Sequence, residues 1–344
     1  MRFSIIGAAI AFSSIALAHP EKLTKAPAKH HHTTRSTSVC AAKIEARREE
    51  ISLRRRQRLL SRRSENSISL DERNVYPIIQ NTTFVLAPET VWGPYGIDGE
   101  LHRHDVRESQ KGIDLYLDIG VIDVETCEPL PDAYLTIWSC NATGSYSGYT
   151  GIDPDTAELL DGWTKSSQGT TDNETFLRGM TKTDAQGMSE FLTIFPGSYT
   201  SRTTHIHVTV QTNVTDDESS YSTAAVQHLG QLFFDADLLN TVYQEEPYVQ
   251  HLATLNRTGN AEDSLLSTAS SGGYSPLIST ALLGETVKEG LVGYITIGVN
   301  RSAEVATTTG GSVNPQGFIP TVTPSAGAQA TAYALDRAEG YVDK

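Results

Sequence analysis

The feature that most limits the fold of this chain is a two-residue alternation of apolar side chains in several short runs. In GIDLYLDIGVIDVETC the apolar residues recur at every second position, as Ile113, Leu115, Leu117, Ile119 and Val121. Side chains two apart in a strand share one face, so the spacing predicts strands with one buried face. The pattern continues, between Gly, Pro, Asn and Asp, in DAYLTIWSC, MSEFLTIF, HIHVTVQT, GQLFF and EGLVGYITIGV. Such strands predict an all-β fold with a β-sandwich core.

The N-terminal part of the chain differs in composition and lacks this alternation. Residues 1–18 join a short positive region to an apolar run and a small-x-small motif, which predicts a secretory signal peptide cleaved after Ala18. Residues 19–63 form a basic linker whose second half lacks Gly and Pro and predicts a short helix. This helix is open to three interpretations: a solvated arm, a docking or dimerisation helix, or a propeptide cut after Arg62-Arg63.

Charge separates this basic segment from an acidic body. Residues 19–76 hold 14 Lys and Arg against 7 Asp and Glu, whereas residues 77–344 hold 12 against 34. An acidic body argues against nucleic acid as a partner. After the signal peptide no run of about 18 apolar residues occurs, so no membrane span is predicted. We expect the folded domain to cover residues 64–305 and a low-complexity tail to cover residues 306–344.

If the chain is secreted, its cysteines are expected to form a disulfide and its Asn-x-Ser/Thr motifs are candidate glycosylation sites. In an oxidising compartment two of three cysteines should pair. Cys127 and Cys140 lie at the edges of two neighbouring strand patterns and are the predicted disulfide, with Cys40 either free or intermolecular. The six Asn-x-Ser/Thr motifs predict N-glycosylation, with candidate sites at Asn81, Asn141, Asn173, Asn213, Asn256 and Asn300.

Several catalytic signatures are absent from the sequence. No G-x-S-x-G motif indicates a serine hydrolase, no G-x-G-x-x-G follows a strand, and no H-E-x-x-H occurs. The pair His102 and His104 lies in the charged, irregular run LHRHDVRE, which favours an exposed loop.

The run HIHVTVQT places His205 and His207 on the same face of a predicted strand. Alone, this pair fits either a metal site or a wet strand face, because a catalytic metal needs at least one further ligand. Tyr146 in ATGSYSGY and Tyr199 in FPGSY each project from a turn beside a strand. Two phenolates, whose ordinary pKa is about 10, suit a strongly Lewis-acidic ion such as ferric iron better than zinc or calcium.

Four stretches together resemble the intradiol ring-cleavage dioxygenases, in particular their secreted fungal branch. They are WGPYGIDGELHRHDVRE, LDIGVIDVETCEPLPDAYLTIWSCNATGSYSGY, FLRGMTKTDAQGMSEFLTIFPGSYTSRTTHIHV and GQLFFDADL. The resemblance covers roughly residues 90–300 and implies a β-sandwich whose long loops carry one mononuclear non-haem Fe(III). The implied ligands are Tyr146, Tyr199, His205 and His207.

The resemblance also implies roles for residues around the metal. Arg202 would stabilise negative charge on the substrate, and Gln231 would orient groups near the metal. Tyr199 would release the metal and accept a substrate proton, while Tyr146 stays bound. Tyr95 and Arg107 are candidate substrate-binding residues. The turn with Tyr95 has Gly96 where the family has a second tyrosine, which leaves the substrate preference open.

The implied function is that of a secreted, extracellular enzyme. It would cleave catechol-type rings between the two hydroxylated carbons with O2 and give muconate-type diacids. Its partners would be a small aromatic diol and O2, with a homodimer left open. Two alternatives are a secreted β-sandwich binding module without catalysis, and a zinc hydrolase that uses His205, His207 and a carboxylate.

Overall fold

The computed structural model describes residues 40, 93–97 and 99–302, except 154, 156–157, 165–168, 201, 213, 215, 218–219, 222–225, 254 and 272–274. The predicted signal peptide, the basic segment with its helix, the C-terminal tail and the domain boundaries lie outside these residues, apart from Cys40. Within the described part of the chain, no helix is long and apolar enough to cross a membrane.

The described residues form twelve strands, three short α-helices and two 3-10 helices. The strands are β1 (Asp114–Asp123), β2 (Tyr134–Trp138), β3 (Ile152–Asp153), β4 (Glu158–Leu159), β5 (Arg178–Lys182), β6 (Met188–Ile194), β7 (His205–Gln211), β8 (Asp216–Asp217), β9 (Ser220–Tyr221), β10 (Val226–Phe233), β11 (Ser279–Leu282) and β12 (Leu291–Val299). The helices are α1 (Ala236–Val242), α2 (Tyr248–Leu252) and α3 (Ser264–Ala269), with 3-10 helices at Asn260–Glu262 and Val287–Glu289.

Two four-stranded sheets build the sandwich. The first has the order β11-β12-β1-β6, and the second has the order β10-β7-β2-β5. All pairs are antiparallel except β1 with β12. The pairs β3-β4 and β8-β9 are small separate hairpins. The prediction of an all-β fold with a β-sandwich core is confirmed.

The alternation in the sequence decides which side chains enter the core. Leu115 and Leu117 of β1 pack in one buried cluster with Ile206 and Val208 of β7. Because successive strand residues point to opposite faces, the intervening His207 lies on the outer face of the second sheet. Strand register aligns four residues across that sheet, in the order Arg178, Trp138, His207 and Gln231. This row lies beneath the candidate site.

The predicted disulfide between Cys127 and Cys140 is wrong. Cys127 is bonded to Cys40, and Cys140 is a buried free thiol. Strand β2 lies between Cys127 and Cys140, and five extended residues span about 17 Å. The Cα atoms of a disulfide lie within about 7 Å of each other. The strand therefore holds the two cysteines at opposite ends, and Cys40 packs with Cys127 and Ile122 instead.

Candidate metal centre

The two predicted histidine ligands lie together on the outer face of β7. Their Nε2 atoms are 3.2 Å apart, and both side chains are buried. The Nδ1 atom of His205 is 2.7 Å from the carbonyl oxygen of Thr203. Because a carbonyl oxygen only accepts, Nδ1 carries the proton and Nε2 keeps its lone pair for a ligand role. The His207 ring stacks on Trp138 at 4.7 Å and 10°, which fixes its orientation.

Asn141 organises the loop that carries Tyr146. Its Oδ1 accepts hydrogen bonds from the backbone amides of Thr143 and Ser145, at 3.1 and 3.0 Å. Its own amide donates to the carbonyl oxygen of Ser145 at 2.8 Å, and its Nδ2 donates to Gln110 at 3.0 Å. One side chain therefore folds the loop that presents Tyr146.

This role argues against Asn141 as a glycosylation site, and its glycosylation stays a prediction. Asn141 is 0% exposed, and a glycan needs its side-chain nitrogen at the surface. Asn173 and Asn256 are exposed, and Asn300 is half-buried, so their glycosylation stays a prediction. The remaining candidates, Asn81 and Asn213, lie outside the described residues.

Tyr199 lies in the predicted Pro-Gly turn, which presses against the Tyr146 loop. The amide of Gly197 donates to the carbonyl oxygen of Asn141 at 3.0 Å. A Cβ atom on Gly197 would lie 2.4 Å from the carbonyl oxygens of Asn141 and Ala142, so only glycine permits this approach. Because the backbones of the two loops touch, the hydroxyls of Tyr146 and Tyr199 lie 3.4 Å apart.

The four predicted ligand atoms therefore lie close together. The Tyr199 hydroxyl is 3.4 Å from that of Tyr146 and 3.2 Å from His205 Nε2, which is 3.2 Å from His207 Nε2. Ligands that share an ion at about 2.0–2.2 Å lie about 3.0–3.5 Å from one another. The spacing fits one mononuclear metal ion.

The electrostatics of the site suit a highly charged ion. Burial raises the pKa of the Tyr146 and Tyr199 phenols, so both are neutral unless a cation is near. Burial, followed by the nearby positive charge of Arg202, lowers the pKa of His207 and keeps it a neutral imidazole. Neutral imidazole is the metal-binding form, and a strong Lewis acid supplies the charge that buried phenolates require.

The carboxylate that the zinc-hydrolase alternative requires is not found beside the histidines in the described residues. Among those residues, no group of three or more His, Cys, Asp or Glu could hold a metal ion. In the described part of the chain, the oxygens of Tyr146 and Tyr199 lie where they could complete a ligand set with the pair. The other His-x-His pair, His102 and His104, is exposed, as the sequence predicted.

Arg202 and Gln231 lie beside the histidines in a buried polar cluster. Arg202 donates from Nε to Asp263 at 2.8 Å and from Nη2 to Gln231 Oε1 at 2.5 Å. Its Nη1 is 3.5 Å from His205 Nε2. Asp263 also accepts from the amide of Thr203 at 2.8 Å. These contacts aim the guanidinium charge at the ligand set.

Tyr95 covers another side of the site. Its ring stacks on Tyr146, with centroids 4.4 Å apart and 19° between the planes. The buried guanidinium of Arg178 holds the two segments together. It donates to the carbonyl oxygens of Tyr95 at 3.1 Å and Ser147 at 2.7 Å, and it pairs with Glu100 at 2.9 Å. The structure therefore brings Tyr95 against Tyr146, one of the four candidate ligands.

Arg107 is engaged elsewhere. Its guanidinium pairs with Asp105 and Asp114 at 2.8 Å each, and its side chain is 30% exposed. Hydrogen bonding to Asp105 raises its pKa above the ordinary arginine value. These ion pairs link Arg107 to the first sheet, and its substrate-binding role stays a prediction.

Three residues that support the site are not apparent from the sequence. Asp263 contacts Arg202, and Arg178 contacts Glu100. In both pairs the partners are more than 60 positions apart in the sequence. The sequence signals only that Asp263 precedes Ser264 and an apolar pair, which is typical of a helix N-cap. The third is Asn141, whose glycosylation motif hides its structural role.

Comparisons with known proteins place this site in context. No family model and no curated protein matches the sequence. Among solved structures, an intradiol ring-cleavage dioxygenase from Tetranychus urticae matches at 27% identity and a TM-score of 0.52. The alignment covers 64% of this chain and 97% of that one. A second solved dioxygenase matches at 27% identity and a TM-score of 0.51, over 64% of this chain and 96% of that one.

These matches confirm the predicted resemblance to the intradiol ring-cleavage dioxygenases, and with it the prediction that the chain is an oxygenase enzyme. The placement in the secreted fungal branch stays a prediction.

Proposed function

We propose that this chain is a secreted, iron-dependent intradiol dioxygenase. It holds one Fe(III) with Tyr146, Tyr199, His205 and His207 and cleaves a catechol-type ring between its two hydroxylated carbons. The reaction consumes O2 and yields a muconate-type diacid. The observation that carries the proposal is the clustering of the four ligand atoms, whose consecutive neighbours in the order Tyr146, Tyr199, His205 and His207 lie 3.2–3.4 Å apart.

The donor set supports iron over the alternatives. Two phenols and two imidazoles in a desolvated site favour a trivalent Lewis acid, which when bound activates an aromatic diol toward O2. If the ion held Tyr199 as a phenolate, its oxygen, which lies 3.4 Å from the Tyr146 hydroxyl and 3.2 Å from His205 Nε2, could take up a proton from a substrate hydroxyl. Arg202, fixed by Asp263 and Gln231, stabilises negative charge that develops on the substrate.

Secretion is supported by two independent features. Residues 1–18 carry the pattern of a signal peptide. The disulfide between Cys40 and Cys127 is typical of proteins that fold in an oxidising compartment.

The deciding experiment measures metal content and oxygen uptake on the purified protein. We expect about one iron per chain, and O2 consumption with at least one of catechol, hydroxyquinol or a larger plant-derived catechol. The product should be cleaved between the hydroxylated carbons. Tyr146→Phe should lose iron or activity, whereas the control Tyr116→Phe, in the opposite sheet, should keep both. A protein that carries zinc, or that consumes no O2 with any diol, contradicts the proposal.

A further inference from the structure

A carboxylate behind the metal-site turn links three separate elements of the fold. Asp155 lies just after β3, in the hairpin that β3 forms with β4. Its Oδ1 accepts a hydrogen bond from the backbone amide of Thr200 at 2.8 Å and from the Thr200 hydroxyl at 3.3 Å. Its Oδ2 lies 3.1 Å from Nε2 of His251, which belongs to α2. Asp155 therefore ties the hairpin and α2 to the residue that follows Tyr199.

The bond to Thr200 acts on the backbone of the turn. The Thr200 amide belongs to the peptide group that also contains the Tyr199 carbonyl. Fixing that amide restrains the peptide plane from which the Tyr199 side chain leaves. The phenol is held at its other end by contacts to Tyr146 and His205. Tyr199 is thus restrained both at its backbone and at its hydroxyl oxygen.

His251 extends this restraint to the Tyr146 loop. A Cβ atom built on Gly144 would lie 3.0 Å from His251 Cε1, 2.8 Å from the Ser198 carbonyl oxygen and 3.3 Å from Tyr199 Cβ. The imidazole, the Tyr146 loop and the Tyr199 turn therefore meet at one point. His251 is buried, and the Asp155 side chain is 16% exposed, so the pair lies inside the fold rather than on its surface.

We propose that Asp155 and His251 are positioning residues that hold Tyr199 in register with the other three ligands. Neither residue is a ligand, and neither is assigned a proton-transfer role. The proposal rests on the proposed function, in which Tyr199 binds the metal. A fixed backbone would hold the Tyr199 oxygen at one geometry toward a metal, and small displacements of a reacting group are costly.

Two readouts test this proposal in the full-length protein. The first is hydrogen exchange of the peptide that contains Thr200, measured on metal-free protein. The second is the visible tyrosinate-to-metal absorption band of the iron-loaded protein, measured together with iron content, kcat and KM. Asp155→Ala should make the Thr200 amide exchange about 5- to 10-fold faster, the effect of one lost hydrogen bond. It should also shift the absorption band and lower kcat by about 10- to 100-fold, with iron content retained.

Two further variants separate positioning from general damage. Asp155→Asn keeps a side-chain oxygen that can accept from the Thr200 amide, so it should restore slow exchange and most of the wild-type band. Asp184→Ala is the matched control, because Asp184 also accepts two backbone amides, from Gln186 and Met188 at 2.8 Å, but in the β5-β6 turn. It should leave the band and kcat unchanged.

The proposal is overturned if Asp155→Ala and Asp184→Ala give the same Thr200 exchange, absorption band and kcat. Failure of the proposed function has a different signature, since the wild-type protein would then bind no iron or consume no O2. In that case the exchange of Thr200 in metal-free protein still decides whether Asp155 holds the turn.

Discussion

The ring of Tyr95 lies flat on the ring of Tyr146, with 4.4 Å between the centroids and 19° between the planes. Such a pair contributes about 0.5–1.5 kcal/mol beyond its buried area, and here it shields one face of a candidate ligand from water. We expect Tyr95→Leu to lose iron to a chelator several-fold faster than wild type and to broaden the visible absorption band. Tyr95→Phe keeps the stacked ring and should behave as wild type. Equal iron loss in both variants would exclude the stacking role.

The buried ion pair between Arg178 and Glu100 joins the Tyr95 segment to the Tyr146 loop. Removing one member of such a pair costs about 3–5 kcal/mol, because the remaining charge stays in a desolvated environment. We therefore expect Arg178→Met to lower the free energy of unfolding in urea by that amount. The control is Lys182→Met on the same strand, whose pair with Asp132 is exposed and contributes about 0–1 kcal/mol. Equal losses in both variants would contradict the assignment.

Arg202 should matter for turnover more than for metal binding. Losing a preorganised charge near developing negative charge typically lowers kcat by about 100- to 1,000-fold. We expect Arg202→Gln to show this loss while iron content stays near one per chain. Arg257→Gln is the control, because it also removes an arginine charge. The Arg257 guanidinium carbon lies 5.3 Å from the centroid of the Tyr243 ring. If Arg202→Gln lost its iron, the structural role of Arg202 would outweigh the catalytic one.

The cysteine pairing has a direct test in stability. A disulfide between residues 87 positions apart stabilises the fold by about 4–5 kcal/mol on the chain-entropy model. Cys127→Ser should show a loss of this order in chemical unfolding, whereas Cys140→Ala should cost only the packing of a small side chain. Burial raises the pKa of the Cys140 thiol to about 12, so it should react with a thiol reagent only after unfolding. Rapid labelling of folded protein would contradict this.

Asn141 should never carry a glycan, and its replacement should damage the Tyr146 loop. Asn141→Ala removes the oxygen that accepts the amides of Thr143 and Ser145, so we expect loss of about 1–3 kcal/mol and weaker iron binding. Intact-mass measurement of protein from a secreting host checks the glycan. Asn173→Gln or Asn256→Gln should reduce the mass if those exposed sites are modified. A mass loss in Asn141→Gln would overturn the assignment.

The local periodicity of the sequence was sufficient to predict the fold and part of the candidate site. The alternation that buries Ile206 and Val208 also turns His205 and His207 outward, and this depends only on strand geometry. The turns of Tyr146 and Tyr199 are likewise local features. Contacts between distant segments could not be predicted in this way. Asp155 with Thr200 and Cys40 with Cys127 depend on how the loops and strands meet in space, which no short-range pattern encodes.

The bond between Cys40 and Cys127 also changes what proteolysis can achieve. The dibasic pair Arg62-Arg63 lies between the two cysteines in the sequence, so a cut there breaks the backbone but leaves the bridge intact. The product would be a two-chain molecule of unchanged size under non-reducing conditions. It would separate into a small basic peptide and an acidic enzyme only when a reductant is added. For this chain, maturation by cleavage and release of the N-terminal segment are two distinct chemical events.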